Sequence, residues 1–431
     1  MTKGLVIAAP HSGSGKTVFA MGLARALKSK GVRLQIAKGG PGYIDPQFLS
    51  AAADQPCFNL DKWAMGNAQL QARVAAIAED KDMLLVEGMM GMFDGAASMN
   101  GSTADVADTL GLPVLLLVDA SGQAQSIAAL VHGFATLRER PKVCGVVATR
   151  VGSPRHAKIL RDAMVETDIP FLGAVHRSEA LTIPSRHLGL VQATESLSRE
   201  DLLQAAEQHV AEAVDLDLLL ELAGEVPKVG TVTPLPPLGQ RIAVAKDIAF
   251  EFTYPHLLTD WRAHGVEIEL FSPLANETPS AACDAVFLPG GYPELHCATL
   301  AAADTFWTGL RQAADRGALI YGECGGYMVL GKALIDADGN AHPMAGLLDH
   351  VTSFAERKMN LGYRQIKPLG AGPWTCDLNG HEFHYSKLVE PGSDAPLFAA
   401  RDATGNDLGT HGGQRGSVIG SYMHIIDAAP A

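Results

Sequence analysis

The sequence predicts an α/β protein of two domains, each built on a parallel sheet, and three observations carry that reading. A glycine-rich loop follows the first apolar run, a cysteine sits at a sharp strand-to-helix junction near residue 324, and a proline-rich stretch separates the two regions. At 431 residues the chain is too long for one ordinary core, so two domains are also the natural expectation from length.

In the first domain, assigned to residues 1–225, apolar runs at 4–9, 83–86, 113–118, 143–148 and 170–175 alternate with helical segments, as a parallel sheet with crossover helices requires. The run Gly4 to Ala9 leads into Pro10-His11-Ser12-Gly13-Ser14-Gly15-Lys16-Thr17 and then a helical pattern through Leu27. Strand, loop and helix in that order make a phosphate-binding loop. Its N–H groups, from Ser12, Gly13, Ser14 and Gly15 onward, cradle phosphate oxygens, Lys16 neutralises them, and the Thr17 hydroxyl reaches magnesium. Pro10 stands where such loops have their first glycine, and the competing reading is an ordinary Gly/Ser turn. Glu87 emerges at the end of the run Leu84-Leu85-Val86, where open α/β sheets bind ligands, and fits a magnesium ligand or a group behind one. Glu87 could instead cap a loop, Asp94 could close a turn before Gly95, and Asp45-Pro46 also matches a common turn.

Residues 226–240, with four prolines between 227 and 237, form the expected linker. From 241 the alternation restarts, with runs at 241–245, 266–271, 285–288 and 318–321 in a domain assigned to 241–431. The last run enters Gly322-Glu323-Cys324-Gly325-Gly326, the geometry of a nucleophile elbow, with a following helix expected to lower the thiol pKa. A buried structural cysteine is the competing reading. Leu288-Pro289-Gly290-Gly291 offers N–H donors to an oxyanion, and His424, expected at the end of a strand from 417, is a candidate base.

Composition narrows the function. A net charge of −13 without a basic block argues against a nucleic-acid partner. The six cysteines lack paired metal spacing, which predicts reduced thiols in a cytoplasmic protein without a zinc site. No apolar stretch approaches membrane-spanning length, and no cleavable leader is expected.

These motifs together resemble the a,c-diamide synthases of corrin biosynthesis, which act on cobyrinic or hydrogenobyrinic acid. The similarity runs through the Ser12–Thr17 loop, Tyr43-Ile44-Asp45-Pro46, Val86-Glu87-Gly88-Met89-Met90-Gly91, Phe93-Asp94-Gly95 and Gly101-Ser102-Thr103-Ala104-Asp105. It continues through Pro184-Ser185-Arg186-His187-Leu188-Gly189-Leu190, Phe271-Ser272-Pro273-Leu274, Leu288-Pro289-Gly290-Gly291-Tyr292-Pro293-Glu294 and Glu323-Cys324-Gly325-Gly326. It closes with Gly380-His381-Glu382-Phe383-His384-Tyr385-Ser386 and Ser421-Tyr422-Met423-His424.

The resemblance implies an N-terminal dethiobiotin-synthetase-like ATP domain joined to a C-terminal class I glutamine amidotransferase domain of the cobyric type. It further implies ATP and Mg2+ as cofactors, with Thr17, Asp45 and Glu87 as direct or indirect metal partners. Gly42, Tyr43, Ile44 and Asp94 would line the substrate or acyl-phosphate site. Cys324 and His424 would hydrolyse L-glutamine, with backbone donors near Gly291 and Gly325 holding the oxyanion. The partners expected are a corrinoid, glutamine and ATP, with a homodimer as the assembly. Three positions depart from the family: Gly42 replaces an aspartate, Thr149 stands where an asparagine contacts the nucleotide base, and Ile426 occupies the place of a triad acid. A Cys-His dyad is therefore expected. The alternatives are cobyric acid synthase, against which Tyr43-Ile44-Asp45-Pro46 argues, a nickel-sirohydrochlorin a,c-diamide synthase, and a ParA-like nucleotide switch with a vestigial amidotransferase module.

Overall fold

The computed structural model describes residues 1–182, 185–186, 189–190, 199–370 and 372–430, arranged as two compact units, Met1–Thr233 and Pro234–Ala431. Of the 184–190 motif only two short paired strands, Ser185–Arg186 and Gly189–Leu190, are described; its other residues lie outside the described ones.

The first unit is a sheet of β1 (Lys3–Ala8), β2 (Leu34–Gly39), β3 (Phe58–Leu60), β4 (Met83–Glu87), β5 (Val114–Asp119), β6 (Val143–Val151) and β7 (Phe171–His176). Their order is 3-2-4-1-5-6-7, every neighbouring pair is parallel, and the strand Gly224–Glu225 adds antiparallel to β1. β2, β4 and β5 are buried along their whole length, as strands covered on both faces must be. β1 lies between β4 and β5, so the chain departs to one side of β1 first and to the other later. The crevice at its C-terminal end is the switch point where such sheets take their ligands, and the loop from Pro10 to Thr17 opens there. Helix α1 (Lys16–Ser29) continues from that loop and buries Phe19, Met21, Leu23 and Leu27. It packs closely enough on helix Arg199–Ala213 that a Cβ on Gly22 would lie 2.3 Å from the Ala206 carbonyl oxygen.

Two of these strands, β2 and β3, are absent from the apolar runs in the sequence. β2 reads Leu-Gln-Ile-Ala-Lys-Gly, whose polar Gln35 and Lys38 mask a strand that is buried throughout.

The second unit has a six-stranded sheet in the order Glu267–Phe271, Arg241–Ala245, Ala285–Leu288, Leu319–Glu323, Val418–Ser421, Gly413–Arg415. The first five are parallel and the last is antiparallel. A second, antiparallel sheet of five strands joins Asp407–His411, Phe398–Asp402, Asn360–Pro368, Leu378–His384 and His424–Ala428. The strand expected to end in His424 in fact ends at Ser421. The chain then crosses from one sheet to the other, and His424 opens the next strand.

Candidate functional site

In the first unit Gly13 and Gly15 have φ of 78° and 85°, left-handed values that a side chain would strain, so the loop needs glycine at both. Its carbonyls are held from β6: the Thr149 hydroxyl donates to Ser14 O at 3.1 Å, and the Arg150 guanidinium donates to Gly13 O at 2.7 Å while pairing with Asp119. Thr149, the position where the resemblance expects an asparagine, supports the loop in this structure. Lys16 Nζ donates to Met90 O at 2.5 Å and to His11 O at 3.4 Å, and burial lowers its pKa.

The acidic residues gather around a lysine that sequence reasoning passed over. Lys38, at the buried end of β2, pairs with Asp45 at 2.7 Å and with Glu87 at 3.0 Å. Burial alone would lower its pKa, but the two carboxylates outweigh burial and raise it. Glu87 Oε1 also accepts from the Thr17 hydroxyl at 2.8 Å, while its Oε2 is buried and accepts no hydrogen bond among the described residues. Burial raises the Glu87 pKa against the pull of Lys38. An unsatisfied carboxylate oxygen beside a hydroxyl fits Mg2+, which is held by one or two carboxylates together with phosphates and water. Asp94 closes a turn, its Oδ2 accepting from Gly91 N–H at 2.9 Å. Ile44 precedes helix Asp45–Ala53 and packs on the core, and Tyr43 is half-buried beside it. At Gly42 a Cβ would meet only Lys38 Cε, at 3.9 Å. The one signal for Lys38 in the sequence is a lysine just before Gly39-Gly40.

In the second unit Cys324 has φ 48° and ψ −107°, a backbone that costs a non-glycine residue about 1–3 kcal/mol and is the strained turn expected of an elbow. Helix Gly325–Leu330 follows it, and Gly326 allows the helix to sit on the Leu288 carbonyl, 1.8 Å from where a Cβ would be. The expected lowering of the thiol pKa is not what the structure shows. Burial is the largest influence and raises it strongly, with Glu294 adding to the rise and the Gly325 N–H opposing only in part. A buried thiol in a short helix's field stays protonated until a base takes its proton.

A candidate for that base lies beside it. A Cβ on Gly290 would fall 2.2 Å from His424 Cε1, 3.0 Å from its Nε2 and 3.2 Å from Cys324 Cβ, so both side chains converge on this glycine. His424 is fully buried, and burial, helped by His381 and His384, pushes its pKa down to about 3, which keeps the imidazole neutral. Gly325 faces Gly291: a Cβ on Gly325 would sit 3.1 Å from the Gly291 nitrogen, so the two loops expected to hold an oxyanion meet beside Cys324.

Asp427 turns its Oδ1 to the Ala428 N–H and Ile426 is buried apolar. The carboxyl beside His424 comes from Glu323, whose Oε2 lies 3.7 Å from His424 Nδ1. Its Oε1 accepts from the Tyr321 hydroxyl at 2.7 Å and from Ile425 N–H at 3.1 Å. Burial pushes this carboxyl up to about 8, against the lowering effect of those two hydrogen bonds. Strand pairing explains the placement: Glu323 pairs with Ser421, just before the crossing to His424.

Among the described residues no group of three or more His, Cys, Asp or Glu side chains could hold a metal, and no helix is long and apolar enough to cross a membrane.

Residues 5–191 match the family of CobQ/CobB/MinD/ParA nucleotide binding domains, and residues 241–431 match the CobB/CobQ-like glutamine amidotransferase domains. Along its length the chain is 52% identical to a hydrogenobyrinate a,c-diamide synthase from Sinorhizobium sp, covering 99% of both chains. It is 50% identical to the protein of that name from Rhizobium meliloti (strain 1021), over 98% of this chain and 99% of the other. With the one from Rhodobacter capsulatus it shares 49% of residues over 98% of both. Two domain families in one order, with about half the residues shared from end to end, place the chain in the hydrogenobyrinate a,c-diamide synthase family.

Proposed function

We propose that this enzyme uses ATP and glutamine to convert the a and c acetate carboxylates of hydrogenobyrinic acid to amides, in cobalamin biosynthesis. The observation that carries the reading is the convergence of Cys324 and His424 on Gly290, with Gly291 and Gly325 facing each other at the same point. His424 takes the thiol proton, and Cys324 Sγ bonds to the amide carbon of glutamine. The tetrahedral oxyanion meets the Gly291 and Gly325 N–H groups. The C–N bond breaks, ammonia leaves with the proton returned by His424, and water hydrolyses the thioester to glutamate.

In the first unit a substrate carboxylate attacks the γ-phosphorus of ATP, giving an acyl phosphate and ADP. Ammonia then displaces phosphate and leaves the amide. Lys16 and the loop N–H groups offset phosphate charge. Thr17 and Glu87 would hold Mg2+, with Asp45 within the same ionic cluster, and the ion's chemistry when bound is to offset charge on the transferred group. Lys38, already between Asp45 and Glu87, is the cation nearest to both carboxylates and a partner for the anion made there.

The test separates the two halves. Cys324→Ser is expected to abolish glutamine-dependent amidation of hydrogenobyrinic acid and to leave ammonia-dependent amidation in place, whereas Lys16→Ala stops both. Equal loss of both activities in the cysteine variant would overturn the assignment.

A further inference from the structure

One acid beside the nucleophile has no task in the chemistry above. Glu294 lies in the turn Pro293–Leu295, directly after the oxyanion loop, and that turn rests on the cysteine elbow: a Cβ on Gly325 would touch Pro293 Cδ at 2.8 Å. The residue as a whole is half-buried, yet its carboxylate Oε2 is cut off from solvent and accepts no hydrogen bond among the described residues. No lysine, arginine or histidine lies within ion-pair distance of it among the described residues; Arg357 acts on it only from farther away. An ionised carboxylate sealed without a cation is costly, by several kcal/mol in an apolar setting. A fold that keeps such a group beside its nucleophile leaves it for a cation that arrives with the ligand.

Glutamine brings that cation. Its side-chain amide must reach Cys324, and its α-ammonium then lies three carbon–carbon bonds and one carbon–nitrogen bond from the attacked carbon, while the turn that carries Glu294 packs on the elbow. We propose that the Glu294 carboxylate is the docking group for the α-ammonium of glutamine, an inference that rests on the amidotransferase reading above. The assignment also accounts for two electrostatic facts. Burial pushes the Glu294 carboxyl up to about 8, as expected for an acid whose cation is not part of the protein. Ionised Glu294 is also the largest charge opposing the Cys324 thiolate. An ammonium held between them cancels that charge, so occupancy by the right amino acid favours the reactive form of the nucleophile.

The experiment compares glutamine with glutaramate, the same amide lacking the α-amino group, in the full-length enzyme supplied with ATP and hydrogenobyrinic acid. The unaltered enzyme is expected to favour glutamine in kcat/KM. Glu294→Gln should raise the KM for glutamine at least about tenfold, the scale of one charge-assisted hydrogen bond. It should also erase most of the preference over glutaramate and leave the KM for ammonia in amidation unchanged. Glu294→Asp should keep part of the preference. An unaltered enzyme that handles both amides equally overturns the proposal without any variant, and so does a Glu294→Gln enzyme whose preference is intact. Absence of glutamine hydrolysis in the unaltered enzyme would instead overturn the underlying amidotransferase reading.

Discussion

Gly42 stands where the resemblance expects an aspartate, and its surroundings say what such a side chain would meet. It has no positive φ, and the space its Cβ would take is open except for Lys38 Cε at 3.9 Å. An aspartate there adds a third carboxylate to the Lys38, Asp45 and Glu87 cluster without displacing backbone. Gly42→Asp is therefore expected to raise the amidation rate roughly tenfold by ordering the anion site, with a much smaller change in corrinoid affinity; rates that stay equal or fall would count against it. Glu323 is the second residue whose role is local. At 3.7 Å from His424 Nδ1 its carboxylate would steady the imidazolium formed when the thiol loses its proton. Since this carboxyl ionises near 8, glutaminase kcat should climb as pH rises toward that value. Glu323→Gln should lower kcat by about tenfold or more, flatten that limb of the pH profile, and leave both KM for glutamine and ammonia-dependent amidation unchanged. A variant that retains the alkaline rise would exclude Glu323 as the positioning acid.

Among the elements, β6 governs the phosphate loop. Thr149 and Arg150, consecutive at its end, take up the carbonyls of Ser14 and Gly13, and Arg150 adopts φ 53° to do so. Two loop carbonyls are thereby turned toward the strand and held. Arg150→Ala should free Gly13 O and Asp119 Oδ2 together and raise the KM for ATP several-fold, with glutaminase activity retained; unchanged ATP dependence would mean the loop holds its shape alone. The sequence displayed this loop and its helix openly because glycines at required positions and an apolar strand are local signals. It did not display β2, where Gln35 and Lys38 interrupt the apolar pattern although the strand is buried. Nor did it display the antiparallel sheet: the strand Asp407–His411 is almost wholly exposed, and Asn360–Pro368 mixes buried and open positions, so neither forms an apolar run. Lys38, Glu294 and Glu323 escaped for a related reason. Each acts through neighbours far along the chain, and an isolated charge in a sequence carries no sign of what it will face.

At the scale of the molecule, the second unit holds buried titrating groups of opposite kinds. Burial pushes His424 and His381 down to about 3 and His350 down to about 4, so all three stay neutral when folded. As pH falls below about 6.5 the unfolded chain gains protons that the folded one refuses, and stability drops toward those folded values. Glu382 adds to the loss on the same side. Burial alone would raise it, but His384 and Arg364 outweigh burial and hold it at about 2, so its contribution disappears as pH falls from about 4.5 toward 2. Glu294 and Glu323, raised to about 8, act in the other direction. Folded, they keep protons that the unfolded chain releases above about 4.5, so stability declines until pH passes 8. Taken together, stability should peak near pH 6.5 and fall on both sides by a few kcal/mol. Trp261, Trp307 and Trp374 are buried in this unit, so the thermal midpoint followed by tryptophan fluorescence across pH checks the expectation. A midpoint that climbs steadily from pH 6.5 to 8 would refute it.

The tight meeting at Gly290 has a bearing on descent. Every amino acid one base change away from a glycine codon carries a Cβ, and here any Cβ would press into the His424 ring and crowd Cys324. Selection can therefore tolerate no drift at this position for as long as ammonia must be made. A copy of the chain relieved of that duty, one kept only to bind nucleotide or a partner, would be free to change it. Glycine at 290 is in that sense what a chain that still makes ammonia has to keep.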